Sequence, residues 1–437
     1  MKKKTIYYLL VIIIVGVGIY FNLLKQQQIE IIKYPLEIDG GTRVENGMAI
    51  VKKNEKYGIV DIKGNYLYKI EFTRINKINK NLFVFLKNEE LIIRNIISGK
   101  EMKIDEIQEN INENIIVKKD KKYIVLNQNL DNIIGQEYDE LMGNKRVIIV
   151  KKDKKFYFLD LKTRKERLIK EKYKKILLNS FIFVQKNNLW GIIDKNGQKI
   201  IEPKFSSFLP LESKKIIIGI KNNKKYFLNL ETKLEKEVKY DNFGDVRSNK
   251  IMVIKDSKIG YLSLDGEEII PLKYSSGFSF FENLVQLRED KKWFLLNYKT
   301  GEKTILDYDN IGEISDGMMI VEKDNKIGYI NLRGKLKIPL KYELGESFIT
   351  GNTIVAKESG FGIIDRKGRN KTDFVYDEII YKNNFFYVLK NEKRGVLDMK
   401  GNTIIPIIYD ELGEISENFI LYKKKNEVGY LKLRNKK

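Results

Sequence analysis

Two residue types are missing from this chain: its 437 residues include no cysteine and no histidine. Without cysteine, disulfides, thiolate metal sites and cysteine nucleophiles are excluded. Without histidine, the usual general base near neutral pH, the Ser–His–Asp triad and imidazole metal ligands are excluded as well. Catalysis would have to use carboxylates and lysines alone. We therefore expect a non-catalytic protein that needs no metal and no cofactor.

Proline is also scarce, with six residues, while 43% of the chain is hydrophobic. This composition excludes a collagen-like or disordered chain and supplies core residues along the whole length. Acidic residues are fewer than basic ones: the chain has 59 Asp and Glu and 81 Lys and Arg, which gives a formal charge of +22. Such a charge favours polyanions, including anionic lipid, acidic cell-wall polymer and nucleic acid. The alternative interpretation is genomic, because AT-rich bacterial genomes encode many Lys, Ile, Asn and Tyr residues.

Charge is absent from residues 5–24, a run of 20 residues that follows three lysines at positions 2–4. A helix rises about 1.5 Å per residue and needs about 20 residues to cross the hydrocarbon core. Cleavable signal peptides have shorter apolar regions and a small-residue cleavage site, which this run lacks. The pattern predicts a cytoplasmic tail at 1–4, an uncleaved transmembrane signal-anchor helix at 5–24 and a juxtamembrane linker at 25–41. The lysines should stay in the cytoplasm, which places the rest of a bacterial envelope protein in the periplasm or at the cell surface.

The remainder of the chain repeats itself. Related copies include "WGIIDKNGQKIIEPKF" from Trp190 and "IGYINLRGKLKIPLKY" from Ile327. We use the glycine of the first dipeptide, or the residue that replaces it, as the marker of each unit. The markers are 58, 92, 124, 157, 191, 227, 260, 294, 328, 362, 395 and 429, in steps of 32–36 residues. Twelve units at a nearly constant step indicate one tandem array over 42–437 and not separate domains.

The sequence pattern of each unit predicts three short strands. A β-rich run such as residues 181–184 precedes a polar turn, the strand that carries the marker, and a D-x-x-G hairpin such as Asp194–Gly197. Aspartate accepts a backbone hydrogen bond at the first turn position, and glycine supplies the positive φ. Pro203 and its counterparts are expected to end the third strand, because proline cannot donate to a ladder. Glycine at the marker indicates close approach by a neighbouring aromatic ring or backbone.

The combined pattern is aromatic-Gly-apolar-apolar-Asp-x-x-Gly, followed by Ile-Pro and then Tyr-Asp. It resembles the bacterial WG-repeat family, also called KWG repeats, over residues 42–437. Only Trp190 supplies the literal Trp-Gly pair, and five of the twelve units lack the marker glycine. The resemblance implies an all-β repeat fold in a membrane-associated or secreted bacterial protein, and it implies no catalytic activity.

These units predict an all-β array of twelve three-stranded β-meander repeats, preceded by one transmembrane helix. We expect an open β-solenoid or superhelix, in which each repeat buries its face on its neighbours. The alternative is a β-propeller-like ring, or two rings, although about 34 residues is short for a four-stranded blade.

The strongest local charge lies in residues 144–175, where 14 Lys and Arg accompany four Asp and Glu. Strand alternation would place some of these cations on one face, where they would bind phosphate-rich polymer or anionic headgroups. The alternative is a solvated face that keeps strand edges from aggregating. The candidate polyanion-binding residues are Lys145, Arg146, Lys151, Lys152, Lys154, Lys155, Lys162, Arg164, Lys165 and Arg167.

Aromatic residues beside the markers form a second candidate set, for stacking against sugar rings. Aromatic residues at regular repeat offsets are also typical of a core. The repeated aspartates are interpreted as turn residues, because paired catalytic carboxylates would have to converge in one pocket. Acidic clusters near residues 137–140 and 377–378 are interpreted as loop charges and not as calcium ligands. The candidate stacking residues are Trp190, Trp293, Tyr261 and Tyr329.

We therefore expect an envelope-anchored, non-catalytic surface that binds or scaffolds a cell-wall polysaccharide or a protein partner. A polyanion-binding module centred on residues 144–175 is the alternative, and an envelope enzyme using carboxylates and lysines is a third hypothesis. The chain carries no Rossmann fingerprint, glycine-rich phosphate loop or nucleic-acid-binding motif, so nucleic acid is not expected as a partner.

Overall fold

The computed structural model describes residues 29–435 apart from 112, 145, 146, 212, 214 and 279. Every regular element in these residues is a strand. Across this part of the chain, no helix is long and apolar enough to span a bilayer. The anchor helix predicted at 5–24 lies outside the described residues.

The strands are short and follow one another with brief turns. The first sixteen are β1 (Ile29–Leu36), β2 (Gly40–Gly41), β3 (Met48–Lys53), β4 (Lys56–Asp61), β5 (Tyr66–Phe72), β6 (Arg74–Lys77), β7 (Leu82–Lys87), β8 (Glu90–Asn95), β9 (Glu101–Ile104), β10 (Glu106–Ile111), β11 (Asn114–Lys119), β12 (Lys122–Leu126), β13 (Glu140–Gly143), β14 (Ile148–Lys152), β15 (Lys155–Asp160) and β16 (Lys165–Leu168). The next sixteen are β17 (Lys175–Leu178), β18 (Ile182–Lys186), β19 (Leu189–Ile193), β20 (Lys199–Phe205), β21 (Ser207–Pro210), β22 (Ile216–Lys221), β23 (Lys224–Asn229), β24 (Leu234–Val238), β25 (Asn242–Arg247), β26 (Lys250–Lys255), β27 (Lys258–Ser263), β28 (Glu268–Tyr274), β29 (Ser276–Gly277), β30 (Leu284–Glu289), β31 (Lys292–Asn297) and β32 (Lys303–Leu306). The last fourteen are β33 (Asn310–Ser315), β34 (Met318–Lys323), β35 (Lys326–Asn331), β36 (Leu336–Tyr342), β37 (Leu344–Gly345), β38 (Asn352–Lys357), β39 (Gly360–Asp365), β40 (Glu378–Lys382), β41 (Phe385–Lys390), β42 (Lys393–Leu397), β43 (Thr403–Tyr409), β44 (Glu411–Leu412), β45 (Phe419–Lys424) and β46 (Glu427–Asn435).

Within the described residues these strands form twelve sheets, and each sequence marker from 58 to 429 lies in a different one. The repeat period and the all-β fold are therefore confirmed. Ten of these sheets have four strands and two have three, so the expectation of three strands per repeat is wrong. The extra strand is a segment such as β29, whose two residues are too short to show an alternating pattern in the sequence.

The chain divides into two compact units. Among the described residues, unit 1 comprises residues 29–80, 85–89 and 341–435, and unit 2 comprises residues 81–84 and 90–340. The sheets that lie wholly in unit 1 are β2–β5, β37–β39, β40–β43 and the set of β1 with β44–β46. The sheets that lie wholly in unit 2 are β10–β12, β13–β16, β17–β20, β21–β24, β25–β28 and β29–β32.

In unit 1, the first and last described strands pair with each other. Strands β1 and β46 run antiparallel, from Ile29 opposite Asn435 to Leu36 opposite Val428. Residues 29–36 therefore belong to a sheet, although they fall in the segment predicted as a linker. In an open stack each repeat contacts only its neighbours, so the first and last repeats do not meet. The open solenoid is thus not confirmed, and this pairing agrees with the propeller-like alternative.

Neighbouring sheets bury their apolar faces against each other. In unit 2, Phe156 of sheet β13–β16 shares a buried cluster with Ile176 and Ile193 of sheet β17–β20. In unit 1, Val51 of β3 is buried in one cluster with Tyr430 of β46. Each repeat therefore depends on its neighbours for its core, as expected for a tandem array.

Glycine at the marker position is required where two strands approach closely. A Cβ atom on Gly191 would lie 2.5 Å from the carbonyl oxygen of Ile201 and 2.7 Å from the nitrogen of Pro203. Both are backbone atoms of β20, so no change of side-chain rotamer would relieve the clash. The predicted close approach is confirmed.

The repeat prolines lie inside their strands and do not end them, which corrects the sequence-based expectation. Pro203 is in the middle of β20, and the ladder continues past it to Phe205, which pairs with Trp190. Strand β20 is the last in its sheet, and its pairing with β19 shifts register between Trp190 and Ile192, opposite the segment that contains Pro203. Proline is accommodated at such bulges and on edge strands. The counterparts inside strands are Pro271 in β28, Pro339 in β36 and Pro406 in β43.

Candidate functional site

A cleft in unit 2 collects part of the basic segment. It has a volume of about 770 Å³ and is lined by residues between 111 and 196, mainly from sheet β13–β16 and the turn after β19. Four cationic side chains line it: Lys162, Lys165, Arg167 and Lys195. We call it the basic cleft. The first three were predicted from the sequence, and Lys195 was not.

The three lysines of the basic cleft present their charge to solvent. The side chains of Lys162, Lys165 and Lys195 are exposed. In the part of the chain that the structure describes, none of their ammonium groups makes an ion pair or a hydrogen bond. The lining contains four cationic side chains and two acidic ones, so positive charge is in excess. A concave surface with an excess of one sign of charge attracts counter-ions, which here are anions.

Arg167 has a positioning role in the cleft. Its Nη1 donates to the carbonyl oxygen of Asn196 at 2.8 Å, and its Nη2 donates to the carbonyl oxygen of Lys195 at 2.8 Å. Its guanidinium carbon lies 4.7 Å from the ring centroid of Phe158. These contacts fix the turn that carries Lys195 to strand β16.

The two acidic side chains of the basic cleft are already engaged. Asp160 accepts the backbone N–H groups of Lys162 at 2.8 Å and Thr163 at 3.1 Å, and these hydrogen bonds hold its pKa below the ordinary value. Glu166 accepts the hydroxyl of Tyr138 at 2.7 Å. Burial and this hydrogen bond raise the pKa of Tyr138 well above its ordinary value, so the phenol stays protonated and donates. Among the described residues neither acid forms an ion pair with a cleft lysine, although the charge of Lys162 also lowers the pKa of Asp160.

The other predicted basic residues are not brought into this cleft. Lys151 pairs with Glu140 at 2.6 Å, and Lys152 donates to the side-chain oxygen of Gln136. Lys154 and Lys155 lie at the exposed turn between β14 and β15, and Arg164 lies in a turn with a φ of 56°. Lys145 and Arg146 lie outside the described residues.

Three of the four predicted stacking aromatics are core residues. Trp293 is 5% exposed, Tyr261 is 3% exposed and Tyr329 is fully buried. The ring of Phe278 stacks on Trp293 with centroids 5.4 Å apart, and the Tyr261 hydroxyl donates to the Phe278 carbonyl at 2.9 Å. All three rings are therefore buried in the core of their sheets.

Trp190 differs, because it lines a surface cleft. This cleft has a volume of about 260 Å³ and lies in unit 2. Its wall is mainly apolar, with the rings of Phe183 and Phe208 5.4 Å apart between centroids. We call it the Trp190 cleft; its lining residues are Leu177, Asn179, Phe183, Trp190, Ser207 and Phe208.

The repeated aspartates are turn residues, as predicted. One oxygen of Asp194 accepts the backbone N–H groups of Asn196 and Gln198, both at 2.8 Å, and Gly197 has a φ of 79°. Asp61, Asp365 and Asp398 accept two backbone N–H groups in the same way. Among the described residues, no cluster of acidic side chains is arranged to hold a metal ion.

Comparison with known families supports the repeat. The family model described as "WG containing repeat" matches six segments, at residues 32–57, 190–226, 259–293, 327–360, 361–393 and 395–427. The resemblance predicted from the sequence is confirmed over these segments. No curated protein matches the chain.

Several solved structures resemble this chain, but with low sequence identity and low TM-scores. A eukaryotic initiation factor has 11% identity and a TM-score of 0.34, over 90% of this chain and 100% of that chain. The extracellular domain of a one component system from B. thetaiotaomicron has 9% identity and a TM-score of 0.24, over 93% of this chain and 77% of its own. PorZ, a surface component of the type-IX secretion system of Porphyromonas gingivalis, has 9% identity and a TM-score of 0.24, over 90% and 79%. Likeness this weak indicates neither a function nor a partner for this chain.

Proposed function

We propose that this chain is a non-catalytic binding protein whose basic cleft holds a polyanion. The observation that carries the proposal is the set of three exposed, unpaired ammonium groups in one cleft, on Lys162, Lys165 and Lys195. Phosphate or carboxylate groups of a polymer would release the counter-ions gathered there on binding.

The arrangement of the other lysines supports this assignment over a merely solvated face. Many strand lysines are held by acids on a neighbouring strand, as Lys151 is by Glu140 at 2.6 Å and Lys103 is by Glu90 at 2.5 Å. The three cleft lysines have no such acidic partner among the described residues, and they line one concave surface together.

The non-catalytic part of the proposal rests on the side chains present. The sequence has no histidine or cysteine to act as base or nucleophile. In the cleft, Asp160 and Glu166 are held in hydrogen bonds to a turn and to a phenol. These contacts use Oδ1 of Asp160 and Oε1 of Glu166, which gives both carboxylates a structural role in the cleft.

The test is binding of fluorescent polyphosphate to the full chain across a salt series. Affinity should fall steadily as salt is raised, because the interaction is ionic. Substituting Lys162, Lys165 and Lys195 by Gln should weaken binding by roughly tenfold or more. The matched control replaces Lys291, Lys299 and Lys335, three exposed lysines of unit 2, by Gln and removes the same charge elsewhere. Equal loss in both triple variants would show that only net charge matters and would refute the cleft.

We also propose that residues 5–24 anchor the chain in a bacterial membrane and that the repeats lie outside the cytoplasm. The uncharged run of 20 residues after three lysines supports this. Protease added to intact spheroplasts should then digest the repeats. Complete protection until the membrane is opened would contradict the proposed orientation.

A further inference from the structure

Trp190 and Trp293 hold the same position in their repeats, each one residue before its marker. The register of the sheets shows which residue lies over each indole. The backbone N–H of Phe278 donates a hydrogen bond to the carbonyl oxygen of Gln286 on β30. Gln286 in turn lies opposite Leu295 on β31, and Leu295 is the residue after the marker at 294. Phe278 therefore aligns across its sheet with the residue that follows the marker.

In sheet β17–β20 Leu177 takes the place of Phe278. Leu177 is opposite Phe183, which is opposite Ile192, the residue after the marker at 191. Leucine has no flat ring to stack on the indole, so Trp190 stays partly exposed, whereas Trp293 is buried. The indole of Trp190 thus lacks the stacked ring that covers Trp293, and it lines the Trp190 cleft.

The walls of the Trp190 cleft are rigid. Phe208 packs on Phe205, with ring centroids 5.3 Å apart, and Phe205 is fully buried. Phe183 packs against Phe181 in an edge-on contact, with centroids 6.0 Å apart. The aromatic surface is therefore formed before a ligand arrives, which lowers the entropic cost of binding.

Polar groups without partners surround these rings. Within the described residues, the Trp190 indole N–H, the Asn179 carboxamide and the Ser207 hydroxyl make no hydrogen bonds. Flat apolar faces combined with a few polar groups are typical of small-ligand sites. A sugar ring matches both features, since its C–H face packs on an aromatic ring while its hydroxyl groups take part in hydrogen bonds.

The Trp190 cleft adjoins the basic cleft. Asn144 lines the basic cleft, and its Nδ2 donates to the carbonyl oxygen of Asn179, which lines the Trp190 cleft, at 3.5 Å. We infer that the two clefts form one site for an acidic glycan, with a sugar ring against Trp190 and a phosphate or carboxylate near the lysines. This inference rests on the polyanion binding proposed above.

The test measures binding of the full chain to four probes. Polyphosphate carries anions without sugar, mannan carries sugar without anions, and phosphomannan and polygalacturonate carry both. We expect an acidic glycan to bind more tightly than polyphosphate or mannan. Tighter binding of phosphomannan would assign phosphate as the anion, and tighter binding of polygalacturonate would assign carboxylate.

Two variants alter the Trp190 cleft without touching the lysines. W190A should weaken binding of the acidic glycan by roughly three- to tenfold and leave polyphosphate binding unchanged, while W190F should retain most of the affinity. L177F should cover the indole as Phe278 covers Trp293, and should weaken glycan binding to a similar extent. Tryptophan emission should shift to shorter wavelength in L177F, because Trp190 becomes buried.

The outcomes separate this inference from the proposed function. If W190A and L177F bind phosphomannan and polygalacturonate as the unaltered chain does, the carbohydrate subsite is refuted, while salt-sensitive polyphosphate binding would still support the basic cleft. If polyphosphate fails to bind and mannan binds as tightly as the acidic glycans, both the polyanion proposal and the acidic-glycan inference are refuted.

Discussion

The most direct test of the repeat architecture is an alanine at a marker glycine. A Cβ atom on Gly58 of β4 would lie 2.7 Å from the carbonyl oxygen of Tyr68 and 3.0 Å from the nitrogen of Ile70. Ordinary carbon–oxygen contacts between strands are about 3.3–3.6 Å, so β5 would have to move by roughly half an ångström. Overpacking of this kind costs about 1–3 kcal/mol. G58A should therefore lower the free energy of unfolding by that amount.

The chain offers a matched control in the same sheet. A Cβ atom on Gly40 of β2 would have no neighbour within 4 Å, so G40A should change the free energy of unfolding by no more than about 0.5 kcal/mol. Urea denaturation followed by far-UV circular dichroism measures the global effect. Hydrogen exchange of peptides covering residues 40–72 measures the local effect, and exchange in G58A should rise by roughly fivefold or more. Equal stability and exchange in the two variants would refute the close-packing explanation of the markers.

Two further predictions concern single acidic side chains. Hydrogen bonds from Lys186 and Lys199 lower the pKa of Glu171 to about 2, from an ordinary value of about 4.3. Because the folded pKa is depressed, this stabilisation is present above about pH 4 and lost as the pH falls towards 2. E171Q should be less stable by about 1 kcal/mol at pH 7 and should match the unaltered chain near pH 2 in urea denaturation; a difference independent of pH would contradict this. Asp398 accepts two backbone N–H groups at 2.8 Å, so D398A should cost about 1–2 kcal/mol, while D398N keeps an acceptor oxygen and should stay within about 0.5 kcal/mol. Equal thermal destabilisation of the two variants would show that the turn does not depend on that oxygen.

The local chemistry of each repeat was predictable from the sequence. Asp194 and Gly197 lie in the turn that their pattern predicts, and Gly191 has the close backbone neighbour that its position implies. The short first strand of each sheet was missed, and those of two residues, such as β29, are too short to show an alternating pattern. The path through Pro203 was also missed, because the edge position of β20 and the register shift in its pairing with β19 appear only in the folded sheet.

The candidate site was only partly predictable, because it depends on which residues lie next to one another across the sheets. Trp190 and Trp293 have the same position in their repeats, so the sequence predicts the same environment for both. Their environments differ because the residue that lies beside the indole is Leu177 in one sheet and Phe278 in the other, as the strand register shows.

Lys195 lies at a turn position that varies between repeats. In four other turns the residue after the first turn position is apolar, namely Ile62, Leu264, Leu332 and Met399, and in the turn that begins at Asp365 it is Arg366. Leu264 and Met399 pack against buried clusters of their units, whereas Lys195 places an ammonium group in the basic cleft. Trp190 and Lys195 each line one of the two clefts, which are linked by the hydrogen bond from Asn144 to Asn179. Their positions in the repeat therefore do not locate the candidate site, because the site depends on which neighbouring side chains cover those positions in the folded sheets.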